Sequence, residues 1–332
     1  MSNSTFYDWR SLQEEWIHHY QALDPSAGTL IRNFFEPASF FAENTFTSSI
    51  PLCIGNTQTE RTAIIISADV CERLRRLVGS TIQGWPAPSM PTFHDDYKDI
   101  QPSPVGDKNM YSRLLQKVKK RNKTAETLRK AVEEWQTAKN LVQAKQHVFI
   151  SIDIEAYEID HSILLEIGWS MYDSKNDKYL DQHYLNNAYR HLNNGKYVDD
   201  MKLRFMFGTS VWCNFKQALA ELRKDLDWAV ARDGGFVLVG HGLDSDLKYL
   251  RKQNFMWPGR PGQPDTMDVS QSAVVTILNT DTIFGATIRD MHNPPSLGRT
   301  LTLLNIDTWC LHNAGNDAHY TLVLLMALVG KA

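Results

Sequence analysis

No apolar run in this sequence approaches the roughly 20 residues that a membrane-spanning helix needs, so no membrane association is expected. Cysteine is scarce. Cys53, Cys71, Cys213 and Cys310 are far apart and form no C-x-x-C or Cys/His spacing, which excludes a zinc finger of that kind and points to reduced core thiols. The net charge of −3 is small for 332 residues, so no global field advertises a polyanionic partner. The first residues, MSNSTFYDWRSLQEEW, offer neither a basic nor an apolar stretch of the kind a secretory signal uses, and acids come too early for a mitochondrial presequence. Repeats and low-complexity tracts are absent. A soluble intracellular protein, cytoplasmic and/or nuclear, is the expectation. At 42% hydrophobic and 22% charged residues, the chain can bury one large core and a smaller one.

What is present is organised around His147–Glu155, HVFISIDIE. Its β-branched and aromatic residues read as a buried strand. Period-two alternation puts Val148, Ile150, Ile152 and Ile154 on one face and Phe149, Ser151, Asp153 and Glu155 on the other. Two carboxylates thus sit side by side at the end of an apolar strand. Desolvating neighbouring like charges costs several kcal/mol unless something positive lies between them, and a divalent cation is the natural partner of paired hard oxygens. A strand end emerging into solvent is the plainer account, so other acids must arrive at the same place to decide it.

Three regions are expected: an N-terminal α/β region over 1–104, a basic helical connector over 105–146, and a larger α/β domain over 147–332. In the first, Trp9, Leu12, Trp16 and Tyr20 recur at helical spacing. TAIIIS reads as a strand running into the amphipathic helix DVCERLRRLV, and the proline-rich residues 84–108 read as a loop. The connector is a long helix with a break expected near Asn122, and Leu128, Val132, Trp135 and Val142 mark its apolar stripe. Between Asp107 and Lys145 eleven Lys/Arg face four Asp/Glu, most densely at Lys117, Lys119, Lys120, Arg121 and Lys123. That cluster is either a solvated helix face or an arm contacting phosphates.

After the first strand come LLEIGWSMYD and a strand at 178–184, an antiparallel meander. An irregular insert over 186–209 precedes a helix at 214–231 closed by Gly234-Gly235. FVLVG, Phe236–Gly240, is a short apolar central strand followed by a crossover helix. A small strand at 266–269, a helix near 274–278, a helix carrying Leu297, Leu301 and Leu304, and an apolar final helix from 314 complete the pattern. This is a mixed sheet flanked by helices on both faces, of ribonuclease-H-like type.

Asp246 follows FVLVG on the first turn of the next helix, where open α/β sheets bind ligands. Asp244 competes with it, and its expected role is to cap that helix. Asp317 lies in the first turn of the last helix, with His312 five residues earlier. In the order found, Asp153-Ile154-Glu155, Gly240-His241…Asp246…Leu250 and His312-Asn313-Ala314…Asp317 resemble the three motifs of the DEDDh 3′–5′ exonucleases. SIDIEAYE, EIGWSMYD, VGHGLDSDLKYL and LHNAGNDAHYTL are more narrowly similar to the fungal members linked to DEAD-box helicase function in mRNA export. Relatives of that group include the exonuclease that partners Argonaute in gene silencing. The resemblance covers roughly 147–329. Ala156 and Gly242 depart from the residues common after the first acid pair and after the motif histidine.

The resemblance implies that Asp153, Glu155, Asp246 and Asp317 hold two divalent cations, Mg²⁺ or Mn²⁺, and that His312 is the general base. The chemistry suits these types. Phosphodiester hydrolysis needs an activated water, a stabilised leaving oxygen and neutralised charge on phosphorus, which paired divalent ions supply. Histidine titrates close to neutral pH. The expected activity is a metal-dependent 3′–5′ exonuclease on RNA or single-stranded DNA. The alternative is a weak or inactive nucleic-acid-binding adaptor in mRNA export or silencing. An RNA helicase or an Argonaute-type complex is the protein partner the resemblance implies.

Overall fold

The computed structural model describes residues 5–41, 49–92 and 94–330. The chain divides into two compact units, Met1–Thr127 and Leu128–Ala332, and each has a hydrophobic core of its own.

In the first unit a short strand β1 (Phe6–Asp8) leads into α1 (Trp9–Leu23). Asp8 caps that helix by accepting from the Ser11 N–H at 2.7 Å, and Trp9, Leu12, Trp16 and Tyr20 are buried along one stripe, as their spacing requires. Helices α2 (Pro25–Phe35) and α3 (Pro37–Phe40) each begin with proline, whose missing N–H costs nothing at a helix start. Then come β2 (Cys53–Asn56), β3 (Thr62–Ser67), α4 (Ala68–Thr81) and β4 (Lys98–Pro102), giving an antiparallel sheet of order β1-β3-β2-β4. Strand β4 lies inside the stretch expected to be loop. It is an exposed edge strand, so no apolar alternation marks it, and its terminal proline is tolerated there.

Helix α5 (Lys108–Ala144) runs 37 residues without the break expected near Asn122. The Asn122 carboxamide instead accepts from the Thr62 N–H (2.8 Å) and donates to the Thr62 carbonyl (2.9 Å). Residues of its first half, such as Leu114, belong to the first core. In its second half Ala131, Ala138 and Val142 are the buried positions and Val132 is 40% exposed, so the apolar stripe is rotated from the expected one.

In the second unit β5 (Val148–Tyr157), β6 (Asp160–Asp173) and β7 (Lys178–Asn186) form the antiparallel meander. A short strand β8 (Val211–Cys213), not foreseen, adds to its edge in parallel with β7. Helix α6 (Phe215–Asp233) starts in a capping box between Asn214 and Gln217 and ends at Gly234 with φ +75°. Strand β9 (Phe236–Gly240) pairs parallel to β5 and is followed by α7 (Asp244–Lys252).

Residues expected as a helix near 274–278 are instead β10 (Val274–Asn279), parallel to β9. VVTILN is short and β-branched, and the free edge of β9 offers it backbone partners. The strand expected at 266–269 reduces to a single bridge between Trp257 and Thr266. Helices α8 (Thr280–Ile288), α9 (Leu297–Leu303) and α10 (Ala314–Leu328) finish the unit.

The described sheet has the order β10-β9-β5-β6-β7-β8. One face, with Val148, Ile150, Ile152 and Ile154, packs with α6 residues such as Leu222 and Leu226. The other, with Phe149, packs with α8 and α10. This is the ribonuclease-H-like mixed sheet, with β5 at its centre. No helix among the described residues is long and apolar enough to cross a membrane, and all four cysteines are free thiols.

Candidate metal centre

The central strand delivers the first two acids. Asp153 and Glu155 lie on the β5 face that meets α10, at the strand's C-terminal end, and both are half-buried. Asp246, on the first turn of α7, reaches back to β5, where its Oδ1 accepts from the Ile154 N–H at 3.0 Å. Asp317, on the first turn of α10, accepts from the His312 N–H at 3.0 Å through Oδ2. His312 is exposed and has φ +67°, a left-handed conformation uncommon outside glycine. Ligand atoms of Glu155, His312 and Asp317 all lie within 4.8 Å of one another. Asp153 is tied to the same place electrostatically, since Asp246, Asp317 and Glu155 all raise its pKa. Three segments far apart in sequence thus converge on one end of β5.

The cluster is charged in a way that protein groups do not compensate. Burial first, and then the neighbouring carboxylates, hold Asp153 well above the usual carboxylate range. Burial and Glu166 push Glu155 up to about 7, burial pushes Asp246 up to about 7, and burial and Glu155 push Asp317 up to about 8. Asp153 Oδ2 and Asp317 Oδ1 are buried and have no hydrogen-bond partner among the described residues. Orphaned buried carboxylate oxygens are costly, and a set of hard oxygens with unmet acceptors fits Mg²⁺ or Mn²⁺.

Asp244 does not cap α7. The N-cap position is Leu243 and makes no side-chain bond, because the chain turns at Gly242 (φ +75°) and is already helical at Leu243; Asp244 is exposed in the first turn. His241 is spent on structure, with Nδ1 2.9 Å from Thr280 Oγ1 and Nε2 3.0 Å from the Pro295 carbonyl. His319 stacks on Phe207 at 3.6 Å and pairs with Asp181, so it is not a spare base.

Sequence reasoning missed Glu166. It faces Glu155 across the β5–β6 register and is 2% exposed. Its Oε2 lies 2.8 Å from His183 Nε2 and accepts from the Ala314 N–H at 3.3 Å. Burial raises Glu166 to about 8 and lowers His183 to about 4, disfavouring the charged form of each. The one available signal was a lone acid inside the apolar run LLEIGW. Two glycines permit this arrangement. A Cβ at Gly168 would stand 2.2 Å from Gly315 N, and one at Gly315 would stand 2.9 Å from His183 Cβ, so α10 begins in direct contact with β6 and β7.

The irregular insert is pinned to the same helix start. Asn313 donates to the Met201 and Lys202 carbonyls, and Asn316 accepts from the Met206 N–H while donating to the Arg204 and Cys310 carbonyls. Asn194 ties the insert to the end of β5, through the Glu158 N–H and the Ala156 carbonyl.

A ribonuclease-H-like sheet carrying four carboxylates and a histidine at the C-terminal end of its central strand defines a nuclease-type class of protein. The chain belongs to the DEDDh exonuclease-like family whose model, described as DNA polymerase III subunit epsilon-like, C-terminal domain, matches residues 148–328. It is 33% identical over 189 residues to an uncharacterized nucleolar protein of Schizosaccharomyces pombe, covering 55% of this chain and 69% of that one. It is 28% identical over 206 residues to the Saccharomyces cerevisiae Good for full DBP5 activity protein 2, covering 56% of this chain and 36% of that one. An uncharacterized S. cerevisiae protein is 29% identical over 211 residues, with 42% of its length covered. The chain therefore spans less than half of both S. cerevisiae relatives. Among solved structures, the RNase domain of yeast Pop2 matches with 14% identity and a TM-score of 0.35, over 60% of this chain and 82% of that one, too loosely to carry an argument.

Proposed function

We propose that this chain is a metal-dependent 3′–5′ exonuclease acting on RNA or single-stranded DNA, with Asp153, Glu155, Asp246 and Asp317 as metal ligands and His312 as general base. The observation that carries this reading is the convergence of these four acids on the end of β5, with two of their buried oxygens unpartnered. Two bound divalent ions would neutralise charge on the scissile phosphate and lower the pKa of the attacking water. The chain's own residues do the rest. The carboxylates fix the ion positions, and Ile154 N–H and His312 N–H each hold one carboxylate oxygen of Asp246 and Asp317 in place. His312, exposed beside Glu155 and Asp317, takes the proton of the attacking water on a ring nitrogen and returns it to solvent. Glu166 positions the start of α10 through the Ala314 N–H, and so the turn that carries Asp317.

The test is cleavage of 5′-labelled single-stranded RNA and DNA by the purified chain with Mg²⁺, with Mn²⁺ and with chelator. A ladder shortening from the 3′ end, lost in chelator, is the expected result; intact substrate under all conditions refutes the reading. A second reading is a nucleic-acid-binding adaptor, and the name of the S. cerevisiae relative, with its reference to DBP5 activity, favours it. Under it the chain binds RNA without cutting and raises the activity of an RNA helicase. A nuclear site of action fits the nucleolar relative.

A further inference from the structure

The first unit holds a cavity of about 320 Å³ between α1, β3 and the first half of α5. Part of its wall is ring and aliphatic carbon, Tyr111, Leu115 and Val118 from α5 with Ile64 and the buried Trp9, and Gln13, Thr62 and Asn122 add polar groups. Leu115 is 44% exposed, so its side chain is open to a ligand entering the cavity. The Tyr111 hydroxyl accepts from Trp9 Nε1 at 3.1 Å and keeps its own proton to donate.

The rim is cationic. Arg10, Arg61 and Lys119 stand around the opening against a single acid, Asp8, whose Oδ1 is already held by the Ser11 N–H. Arg10 pairs with Glu14, whereas Arg61 and Lys119 have no carboxylate partner among the described residues. Helical geometry sorts the basic cluster of α5. At 100° per residue, Leu115, Lys119 and Asn122 share the face on the cavity, while Lys117 and Lys120 project from the far side.

An apolar wall with ring character, a free hydroxyl donor and unpaired cations at the mouth form the combination that takes a nucleobase and its flanking phosphates. We propose that this cavity binds one nucleotide of a single-stranded nucleic acid, the base against Tyr111, Leu115 and Val118 and the phosphates on Arg61 and Lys119. The site lies in the first unit alone and holds whether or not the acidic cluster of the second unit cleaves.

The test uses the full chain in chelator, which stops any cleavage, with fluorescent single-stranded 20-mers at two salt concentrations. R61E/K119E is the cavity variant and K117E/K120E the far-face control with the same charge change; all four side chains are exposed, and circular dichroism checks the fold. R61E/K119E is expected to weaken binding about tenfold or more and to flatten the salt slope by roughly 1.4, the single-strand value for two phosphate contacts. K117E/K120E should change affinity less than about threefold, the residue of long-range attraction that salt screens. An abasic strand of the same length should bind the parent more weakly than the full strand, and R61E/K119E should erase that difference. Equal losses in the two variants, or equal binding of abasic and full strands, would overturn the proposal. Displacement by polyglutamate as effective as by unlabelled strand would assign the cavity to acidic protein segments instead.

Discussion

At the scale of residues, Asp153 is a buried carboxyl that meets acids and no cation among the described residues. Its pKa is raised by burial and by four acids, Asp246, Asp317, Glu155 and Glu166, so ionising it in the metal-free protein is costly. Asp153→Asn should therefore abolish cleavage while raising the unfolding midpoint of the chelated protein, because it removes an ionisable group that burial and neighbouring acids disfavour. A variant that cleaves at the parental rate would refute the ligand assignment. The two acids of α7 separate cleanly. Asp246 is bonded to β5 and Asp244 is exposed without a capping bond. Asp244→Ala should keep its activity and change stability by less than about 0.5 kcal/mol, and Asp246→Ala should lose activity; the opposite pattern would exchange their roles. For His312→Ala, turnover should fall roughly 10²–10⁴-fold, the usual worth of a positioned acid–base group. Calorimetric titration with Mn²⁺ distinguishes a base from a ligand, since a base leaves the affinity unchanged.

At the scale of elements, the contact of α10 with β6 sets the site. Glycine is required at Gly168 because any Cβ would overlap the backbone of Ala314 and Gly315, and neither of those atoms can rotate away. Gly168→Ala should push the helix start outward, break the bond from Ala314 N–H to Glu166, and move Asp317 with it. The expected result is a loss of about 1–3 kcal/mol, the range for an overpacked core position, together with a sharp fall in turnover. Unchanged kinetics in a destabilised protein would separate the packing from the chemistry. The long helix α5 shows a different logic. Its mean polarity permits no strong amphipathic stripe, and Asn122, a plausible breaker by type, is retained in the helix because its amide satisfies the backbone N–H and carbonyl of the buried Thr62 at the start of β3.

At the scale of the whole molecule, one core cluster belongs to the first unit and two, on either face of the sheet, to the second, and the acidic cluster lies wholly in the second. Glu155, Asp246, Asp317 and Glu166 bind protons more tightly folded than unfolded, with folded values of about 7, 7, 8 and 8. Between the unfolded carboxylate value of about 4 and that range, the folded state carries more protons. Stability of the metal-free second unit must then fall as pH rises through this window. Divalent ions should reverse the loss, by about 2.7 kcal/mol at a hundredfold excess over the dissociation constant. Calorimetry from pH 5 to 8.5 with and without Mn²⁺ checks both signs. The transition of the second unit should move, and that of the first should not; a chelated protein that gains stability toward pH 8 would contradict the charge assignment.

Local repetition along the chain determined much of this. Alternation in HVFISIDIE assigned its two faces, the stripe through Trp9, Leu12, Trp16 and Tyr20 announced α1, and Asn214 and Gly234 marked the ends of α6. These features are legible because strand and helix periods belong to the backbone itself. The order and spacing of the three acidic motifs carried the resemblance to a known family, and that resemblance, not the spacing itself, implied roles for the four acids and His312. Tertiary structure decided what depends on the neighbour opposite. VVTILN is a strand only because β9 has a free edge, and KDIQP only because β2 does. Glu166 meets Glu155, His183 and Ala314 through register and close packing that no local pattern encodes. The cavity beneath Leu115 likewise exists because three segments enclose it. Exposed edges and buried polar partnerships carry no periodic signature, so only the assembled fold reveals them.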